Sequence, residues 1–230
     1  MKYVGGKHMI SKQLTDFIKS QVDPSKYEFY DLFCGSCGIV KNVKEFKKVI
    51  ANDIETDLYL FWKDDFALDF LPNEIEYKLY KQDPIPSQRR CFYRFFMSYG
   101  GKSWGMYLER HIYKDRDKDR DFFREFKNSY NKMKPMLKNV EFHNKSYLDF
   151  DMENSVVYCD PPYEGTQGYG SSFNHDEFWE RMRYLSKKNI VFISCEEHPP
   201  DFIVVWKKEK LRSLQKERRL KEELLVQYKK

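Results

Sequence analysis

The apolar positions along the chain follow two different periods, one typical of strands and one typical of helices. Short apolar runs predict strands at residues 28–33 and 49–51. Around these runs, apolar residues recur every three or four positions, which predicts helices up to about residue 20, after Gly38 and over residues 58–70. Strands that alternate with helices are typical of a parallel sheet covered by helices.

This alternation stops between residues 72 and 139, where we find helical fragments and turn signals but no clear strand. Predicted strands resume at 140–142, 155–159, 190–194 and 202–206, and a helix at about 176–187 is capped by Asn174 or Asp176. We therefore predict an α/β fold with a doubly wound, mainly parallel sheet, similar to Rossmann folds. Residues 1–71 and 140–230 form the sheet domain, and 72–139 form an inserted, mostly helical lobe.

The segment from residue 211 onward permits two interpretations. Its leucines could line one face of an amphipathic helix. Alternatively, residues 224–228 could form the last strand of the sheet. The hydrophobic pattern alone does not decide between the two.

The net charge of +5 is unevenly distributed along the chain. Residues 78–138 contain 16 Lys and Arg against 7 Asp and Glu, and residues 206–230 contain 10 against 4. A basic lobe and tail on an otherwise acidic chain favour a polyanionic partner such as nucleic acid. Solvated, charged helix faces are the alternative explanation.

The composition also bounds the location and the metal chemistry. No apolar run reaches the ~20 residues of a membrane span, and the amino terminus lacks the apolar core of a signal peptide. Five cysteines then predict free thiols in the cytoplasm. Cys34 and Cys37 form a C-x-x-C motif, but no second ligand pair accompanies it, and Gly-Ser between the cysteines is unlike redox motifs. We therefore expect no metal site.

The most informative motif is Asp160-Pro161-Pro162-Tyr163, which directly follows the apolar run 155–159. It therefore lies at the carboxyl end of a strand, where open α/β sheets bind their ligands. An exocyclic amino group is a poor nucleophile, because its lone pair is delocalised into the ring. The Asp160 carboxylate and the Pro161 carbonyl could accept its two hydrogens, while the prolines stiffen the turn and Tyr163 stacks on a flat base. An ordinary Asp-Pro turn is the alternative.

A second group of residues is suited to a nucleoside cofactor. Residues 31–36 place a glycine turn, with its backbone amides, at the end of the first strand. Asp53 ends the second strand, where an acidic residue can bind both hydroxyls of a ribose. The chain has neither a G-x-G-x-x-G nor a P-loop motif. We therefore expect a cofactor without a phosphate chain.

The order of these motifs resembles that of the Dam-type, or D12-class, DNA adenine-N6 methyltransferases. The matching segments are YVGGK at 3–7, DLFCGS at 31–36, ND at 52–53 and DPPY at 160–163. The likeness continues through NKSYLD at 144–149, VFIS at 191–194 and the tail, so that it covers nearly the whole chain. These enzymes use S-adenosyl-L-methionine and carry a target-recognition segment between the cofactor loop and DPPY. One departure is Cys37, where the family usually has glycine.

The resemblance implies a role for each matched position. The cofactor residues would be Tyr3, Lys7, Asp31, Phe33, Gly35, Ser36, Asp53, Ser146, Tyr147 and Asp160, with Asp53 on the ribose. Asp160, Pro161, Pro162 and Tyr163 would hold the flipped target adenine. The tail would be a pair of closing strands rather than a helix.

The basic lobe fits double-stranded DNA as partner. Taking a base out of the stack costs a few kcal/mol, and contacts from Lys and Arg to the DNA backbone supply much of the compensating affinity. The turn at residues 98–105 resembles the recognition hairpin of the family. The predicted DNA-binding residues are Arg89, Arg90, Arg94, Tyr99, Lys102, Trp104, Arg110 and Arg116.

The sequence therefore predicts methylation of adenine N6 at a specific short site in double-stranded DNA, by base flipping and direct in-line transfer. We expect the enzyme to be a monomer or a weak dimer. Cytosine-N4 methylation of DNA, methylation of structured RNA, and a catalytically silent nucleic-acid binder remain as alternatives.

Overall fold

The computed structural model describes residues 3–108, 111–113, 118–163, 173–214 and 217–229. The strands in these residues are β1 (Glu28–Asp31), β2 (Lys48–Asn52), β3 (His111–Tyr113), β4 (Lys118–Arg120), β5 (Val140–His143), β6 (Val156–Cys159), β7 (Ile190–Cys195), β8 (Phe202–Leu214) and β9 (Glu217–Tyr228). The α-helices are α1 (Ser11–Gln21), α2 (Thr56–Lys63), α3 (Glu74–Gln82), α4 (Gln88–Cys91), α5 (Phe122–Met133) and α6 (His175–Ser186).

Seven strands form one sheet, in the order β5-β2-β1-β6-β7-β9-β8. The first five of these are parallel to one another, and β9 is antiparallel to both of its neighbours. β1 pairs with β2 on one side and with β6 on the other, so the order of the strands reverses at β1. This is the doubly wound, mainly parallel sheet predicted from the sequence. Such folds bind ligands outside the carboxyl ends of the strands at the point of reversal.

Apolar residues cover both faces of the sheet. On one face, Leu14 and Ile18 of α1 belong to a buried cluster that also contains Phe29 of β1. On the other face, Phe178 and Met182 of α6 belong to a second buried cluster. All four residues of the central strand β6 are buried, as its unbroken apolar sequence predicts for a strand covered on both sides.

Residues 72–139, the predicted lobe, pack directly against the rest of the chain through aromatic side chains. After α4 the chain continues as one π-helical turn, Phe92–Phe96. The ring of Phe61 in α2 lies 4.9 Å from that of Phe96 and 6.2 Å from that of Phe126 in α5. The aromatic core of the lobe is therefore continuous with one face of the sheet domain.

Three local predictions are wrong. After Gly38 the chain forms only a short 3-10 turn, Val40–Asn42, and Ile39, Val43 and Phe46 are buried without a helix before β2 begins at Lys48. α2 ends at Lys63 rather than at residue 70, and Phe66 and Phe70 instead pack on the lobe ring of Phe92. The charged run at 114–121 contains part of a hairpin, β3–β4, which no apolar run could reveal.

The tail forms strands, as the resemblance implied, and not the alternative helix. β8 and β9 pair along nearly their whole length, and Leu225 and Val226 of β9 are fully buried beside β7. Asn174, the first of the two proposed caps, begins α6 by accepting a hydrogen bond from the Glu177 N–H.

The described residues contain neither a helix suited to a membrane nor a cluster of metal ligands. None of their helices is both long and apolar enough to cross a bilayer. The same residues contain no group of three or more His, Cys, Asp or Glu side chains that could hold a metal ion.

Candidate active site

The carboxyl ends of β1, β2 and β6 meet at one edge of the sheet, because these strands are parallel neighbours. Asp31 ends β1, Asp53 follows β2 and Asp160 follows β6. Asp31 is 1% exposed; burial raises the pKa of its carboxyl well above the usual value, and the charges of Asp160 and Asp53 raise it further. The fold thus gathers three acidic residues from distant parts of the sequence.

Asp160 belongs to a hydrogen-bonded network at this edge. Lys7 Nζ lies 2.6 Å from Asp160 Oδ1 and donates to Tyr163 Oη at 2.8 Å. Tyr163 Oη donates in turn to Glu223 Oε1 at 2.6 Å, and Lys7 Nζ lies 3.1 Å from the same Glu223 oxygen. The Asp160 side chain is 17% exposed, but those of Lys7 and Glu223 are 4% and 2% exposed. Solvent therefore reaches the Asp160 carboxylate, whereas Lys7 and Glu223 are almost completely shielded from it.

The two carboxylates determine the charge of Lys7. Burial lowers the pKa of Lys7, but the charges of Asp160 and Glu223 outweigh burial and raise this pKa above its usual value. Lys7 is thus a buried ammonium between two carboxylates. The sequence predicts that Lys7 lines the cofactor site. The structure shows a further feature, the direct contact of Lys7 with Asp160 and Tyr163 of the DPPY motif.

The DPPY turn is held firmly where it leaves β6. Tyr158, the third residue of the strand, is 1% exposed, and its Oη lies 2.8 Å from Ser194 Oγ of β7. Pro161 is buried and Pro162 is partly exposed. Because each proline ring fixes its φ, the turn loses little conformational entropy when a substrate aligns with it.

Gly35 forms the centre of the loop at residues 31–36, which the sequence predicts to bind the cofactor and which we call the cofactor loop. Its φ of +47° favours glycine, and a Cβ at this position would lie 3.0 Å from Tyr3 Cε1. The Gly35 carbonyl accepts a hydrogen bond from Trp62 Nε1 at 2.8 Å, and its N–H donates to Asp53 Oδ2 at 2.8 Å. A larger residue at position 35 would displace the Tyr3 ring.

Asp53 is oriented by its neighbours at the end of β2. Its Oδ1 accepts a hydrogen bond from the Glu55 N–H at 2.9 Å, and its carbonyl accepts one from Asn144 Nδ2 at 2.8 Å. Burial raises the pKa of Asp53 to about 6, although the N–H groups of Glu55 and Gly35 act in the opposite direction. The carboxylate is therefore partly protonated in mildly acidic solution.

Aromatic rings form an apolar wall at the same edge. The ring centroids of Phe33 and Tyr147 are 5.4 Å apart, and Phe173 lies 6.0 Å from Phe33 and 5.8 Å from Tyr147. Ser146 precedes this wall, and its Oγ accepts a hydrogen bond from the Leu148 N–H. Such a wall is suited to one face of a purine.

Ser36 contacts a residue that the sequence did not single out. It is 2% exposed, and its Oγ lies 2.9 Å from His8 Nε2. Burial, assisted by the charge of Lys41, lowers the pKa of His8 to about 4, so the imidazole is neutral near pH 7. This contact joins the loop that contains Ser36 to the amino-terminal segment that contains His8.

The C-x-x-C motif has a structural role in this loop. Cys34 and Cys37 are both buried; the hydrogen bond that the Cys34 thiol donates to Cys37 raises the pKa of Cys34, and burial raises that of Cys37. Protonated thiols are poor metal ligands and poor nucleophiles. Cys37 has a φ of +55°, a left-handed conformation that explains the preference for glycine at this position.

Two of the arginines predicted to contact DNA are ion-paired within the protein. Asp57 is 0% exposed and accepts hydrogen bonds from the guanidinium groups of Arg90 and Arg94. Arg94 Nη1 also lies 2.8 Å from Glu55 Oε1. Because carboxylates already engage both guanidinium groups, we leave Arg90 and Arg94 out of the DNA interface proposed below.

The turn at residues 98–107 is more open. A bridge between Ser98 and Tyr107 closes it, and the Val4 N–H donates to the Gly101 carbonyl at 3.2 Å. Tyr99 is 62% exposed and Lys102 is exposed. The turn therefore joins the amino-terminal segment of the site and presents an aromatic ring and a cation to solvent.

The remaining predicted lobe residues differ in their surroundings. Trp104 is half-buried, with its ring 5.5 Å from that of Tyr77. The Arg89 guanidinium stacks on Phe70, 3.3 Å from the ring centroid. Arg110 and Arg116 lie outside the described residues.

A family model of the D12 class N6 adenine-specific DNA methyltransferases matches residues 3–118 and 110–188 of the chain. The chain belongs to this family. The matched residues include the cofactor loop, Asp53, Lys7 and the DPPY turn, while β8, β9 and Glu223 lie beyond them.

An individual relative shares only a low sequence identity with this chain. The Type II methyltransferase M.FokI of Planomicrobium okeanokoites is 24% identical over 218 residues, which cover 83% of this chain and 33% of that protein. The chain thus spans about a third of the length of this relative.

Solved structures align with most of this chain, at low sequence identity and low TM-score. An rRNA methyltransferase from Streptomyces viridochromogenes is 12% identical with a TM-score of 0.45, covering 95% of this chain and 83% of its own. The magnesium protoporphyrin IX methyltransferase of Synechocystis, with bound SAM, is 9% identical with a TM-score of 0.42, covering 97% of this chain and 80% of its own. Their different substrates give no information on the substrate of this chain.

Proposed function

We propose that this member of the D12 family transfers a methyl group from S-adenosylmethionine to N6 of adenine in double-stranded DNA. The observation that carries the proposal is the Asp160 network. A carboxylate, a stiff proline turn and a tyrosine ring follow the central strand at the switch point of the sheet, next to the cofactor loop. This combination is suited to an aromatic ring that carries an amino group.

The residues at the edge of the sheet also fit the proposed cofactor. S-adenosylmethionine supplies a methyl group that is already activated on a sulfonium. Its ammonium and sulfonium cations suit the edge of the sheet at which the acidic residues Asp53 and Asp160 follow β2 and β6. Asp53 would accept hydrogen bonds from the ribose hydroxyls, and the wall of Phe33 and Tyr147 would contact the adenine. The turn at Gly35, where no Cβ fits, would let the backbone approach the methionine portion.

Asp160 would act directly on the target amino group. Its carboxylate and the Pro161 carbonyl accept the two N6 hydrogens, so the nitrogen lone pair is freed from the ring. The nitrogen would form its bond to the methyl carbon as the bond from that carbon to the sulfonium sulfur breaks and leaves a thioether, and it would then lose one proton, which the Asp160 carboxylate would accept. Tyr163 provides the ring on which the flipped adenine stacks, and its alignment lowers the entropic cost of the transfer.

The substrate class is tested with labelled methyl groups. The protein is incubated with tritiated S-adenosylmethionine and with equal masses of unmethylated double-stranded DNA, single-stranded DNA or structured RNA. We expect radioactivity in the double-stranded DNA. Preferential labelling of the RNA would replace the proposed substrate, and no labelling of any nucleic acid would indicate a silent binder.

Binding of S-adenosylmethionine should depend on pH through Asp53. A carboxylate accepts stronger hydrogen bonds from ribose hydroxyls than its protonated form does. Since the pKa of Asp53 is about 6, we expect the dissociation constant to increase as the pH falls from 7.5 to 5.5. His8, with a pKa of about 4, stays neutral over this range. Isothermal titration calorimetry measures the effect.

The Asp53→Asn variant is the control for this prediction. It should bind the cofactor more weakly at pH 7.5 and should lose most of the pH dependence below pH 7. Titration of the cofactor itself is the same for both proteins. An equally steep pH dependence in Asp53→Asn would show that Asp53 does not contact the ribose.

Lys102 should contribute to DNA binding through the phosphate backbone. Lys102 is exposed at the turn of residues 98–107, so Lys102→Ala should weaken the binding of many DNA sequences to a similar extent. The slope of the logarithm of the binding constant against the logarithm of the salt concentration should decrease in magnitude by about 1. The matched control is Lys26→Ala, an exposed lysine that precedes β1 at the opposite edge of the sheet. Fluorescence anisotropy at several salt concentrations measures both. Identical slopes for Lys102→Ala and the wild type would remove this turn from the DNA interface.

A further inference from the structure

Glu223 is a buried carboxylate that the proposed reaction has not yet used. It lies on β9, where only 1% of the residue is exposed, and it reaches the DPPY motif across 60 positions of sequence. Its Oε1 accepts the Tyr163 hydroxyl at 2.6 Å and lies 3.1 Å from Lys7 Nζ. The neighbouring Glu222 is instead 47% exposed and pairs with Lys207. A carboxylate is buried only where partners offset its desolvation, so this position demands an explanation.

The network would be poorly arranged for catalysis without Glu223. Lys7 is already closer to Asp160, at 2.6 Å, than to Glu223, at 3.1 Å. Without Glu223 the ammonium would lose its second carboxylate and would compete more strongly with the substrate amino group for Asp160. With Glu223 present, Lys7 is shared between an accessible carboxylate and a buried one. The Tyr163 hydroxyl would also lose its acceptor, so the ring would be less well fixed before a base stacks on it.

We propose that Glu223 is a positioning residue for the methyl transfer. It fixes the orientation of the Tyr163 ring and shares the Lys7 ammonium with Asp160, so that the positive charge of Lys7 is divided between two carboxylates when the target amino group meets Asp160. In this role Glu223 acts through Tyr163 and Lys7, both of which it contacts. This inference rests on the proposed function, because it assigns Asp160 and Tyr163 to the target base.

Glu223→Gln tests the charge and Glu223→Ala tests the whole side chain. Glutamine keeps an acceptor for the Tyr163 hydroxyl but does not attract Lys7 as a carboxylate does. We expect kcat to fall about tenfold in Glu223→Gln and on the order of 10²-fold in Glu223→Ala, as small misalignments of reacting groups do. The dissociation constant of S-adenosylmethionine should stay within about twofold of the wild type in Glu223→Gln, because the proposed role of Glu223 concerns the target base rather than the cofactor. Glu222→Ala is the matched control and should leave kcat unchanged.

A double-mutant cycle distinguishes positioning from a general loss of structure. If Glu223 acts through Tyr163, then Tyr163→Phe combined with Glu223→Gln should lower kcat by less than the product of the two separate effects. Thermal melting of each variant verifies the fold, and the isosteric Glu223→Gln keeps the test valid if Glu223→Ala does not fold. An unchanged kcat in Glu223→Gln, or effects that multiply, would overturn the inference.

The two proposals fail in different ways. If the wild type methylates DNA and Glu223→Gln does so at the same rate, only the positioning role is wrong. If the wild type transfers no methyl group to DNA while it binds S-adenosylmethionine, the proposed function itself is wrong.

Discussion

Replacing Asp160 with alanine is expected to lower kcat for methyl transfer by about 10²–10³-fold, since a preorganised polar group that acts on the reacting centre contributes this much. The variant removes the acceptor that exposes the lone pair of the target nitrogen and that would take its proton. Rates are measured with labelled S-adenosylmethionine under single-turnover conditions, so that product release does not mask the chemical step.

The fold should survive this substitution. Lys7 keeps the Glu223 carboxylate 3.1 Å from its ammonium and is not left as an unpaired buried charge. Asp151→Ala, an exposed aspartate in the segment before β6, serves as control and should retain wild-type activity. Unchanged transfer by Asp160→Ala would exclude the mechanism proposed here.

Replacing Asp57 with alanine is expected to lower the free energy of unfolding more than any other substitution proposed for this protein. Asp57 is fully buried and is the acceptor for Arg90, Arg94 and the Ser87 N–H. Removing one partner of a buried ionic cluster costs about 3–5 kcal/mol, because the remaining charges stay desolvated. For a chain of this size the melting temperature should fall by roughly 6–20 °C, at about 2–4 °C per kcal/mol. Calorimetry or circular dichroism measures it.

Asp65→Ala is the matched control for Asp57→Ala. The Asp65 side chain is 93% exposed and lies 3.7 Å from Lys134, so its removal should change the free energy of unfolding by less than about 0.5 kcal/mol. If Asp57→Ala has the same melting temperature as the wild type, Asp57 does not hold Arg90 and Arg94 in solution. They would then return to the candidate DNA-binding residues.

Local pattern was sufficient to predict the sheet and the placement of DPPY. β1, β2, β6 and β7 are short apolar runs between turn signals, and parallel pairing brings their carboxyl ends to a single edge. The tail was ambiguous, because its leucines suit a helix or a strand equally. Only pairing with β7, a long-range interaction, decides in favour of β9.

Charge patterning was a weaker guide than hydrophobic patterning. The count of basic residues in the lobe did not show that Arg90 and Arg94 pair with Asp57, since an ion pair across more than 30 positions has no local signal. Glu223 was missed for the same reason. The one available sign was a glutamate within the apolar end of the last strand, but its partner, Lys7, lies in the amino-terminal segment more than 200 positions away.

The identity of the methylated nucleoside tests the central claim most directly. Unmethylated double-stranded DNA is treated with the protein and S-adenosylmethionine, digested to nucleosides and analysed by mass spectrometry beside a reaction with Asp160→Ala. We predict N6-methyldeoxyadenosine in the wild-type reaction and at least about 10²-fold less of it with Asp160→Ala. N4-methyldeoxycytidine as the product, or equal N6-methyldeoxyadenosine in both reactions, would contradict this account.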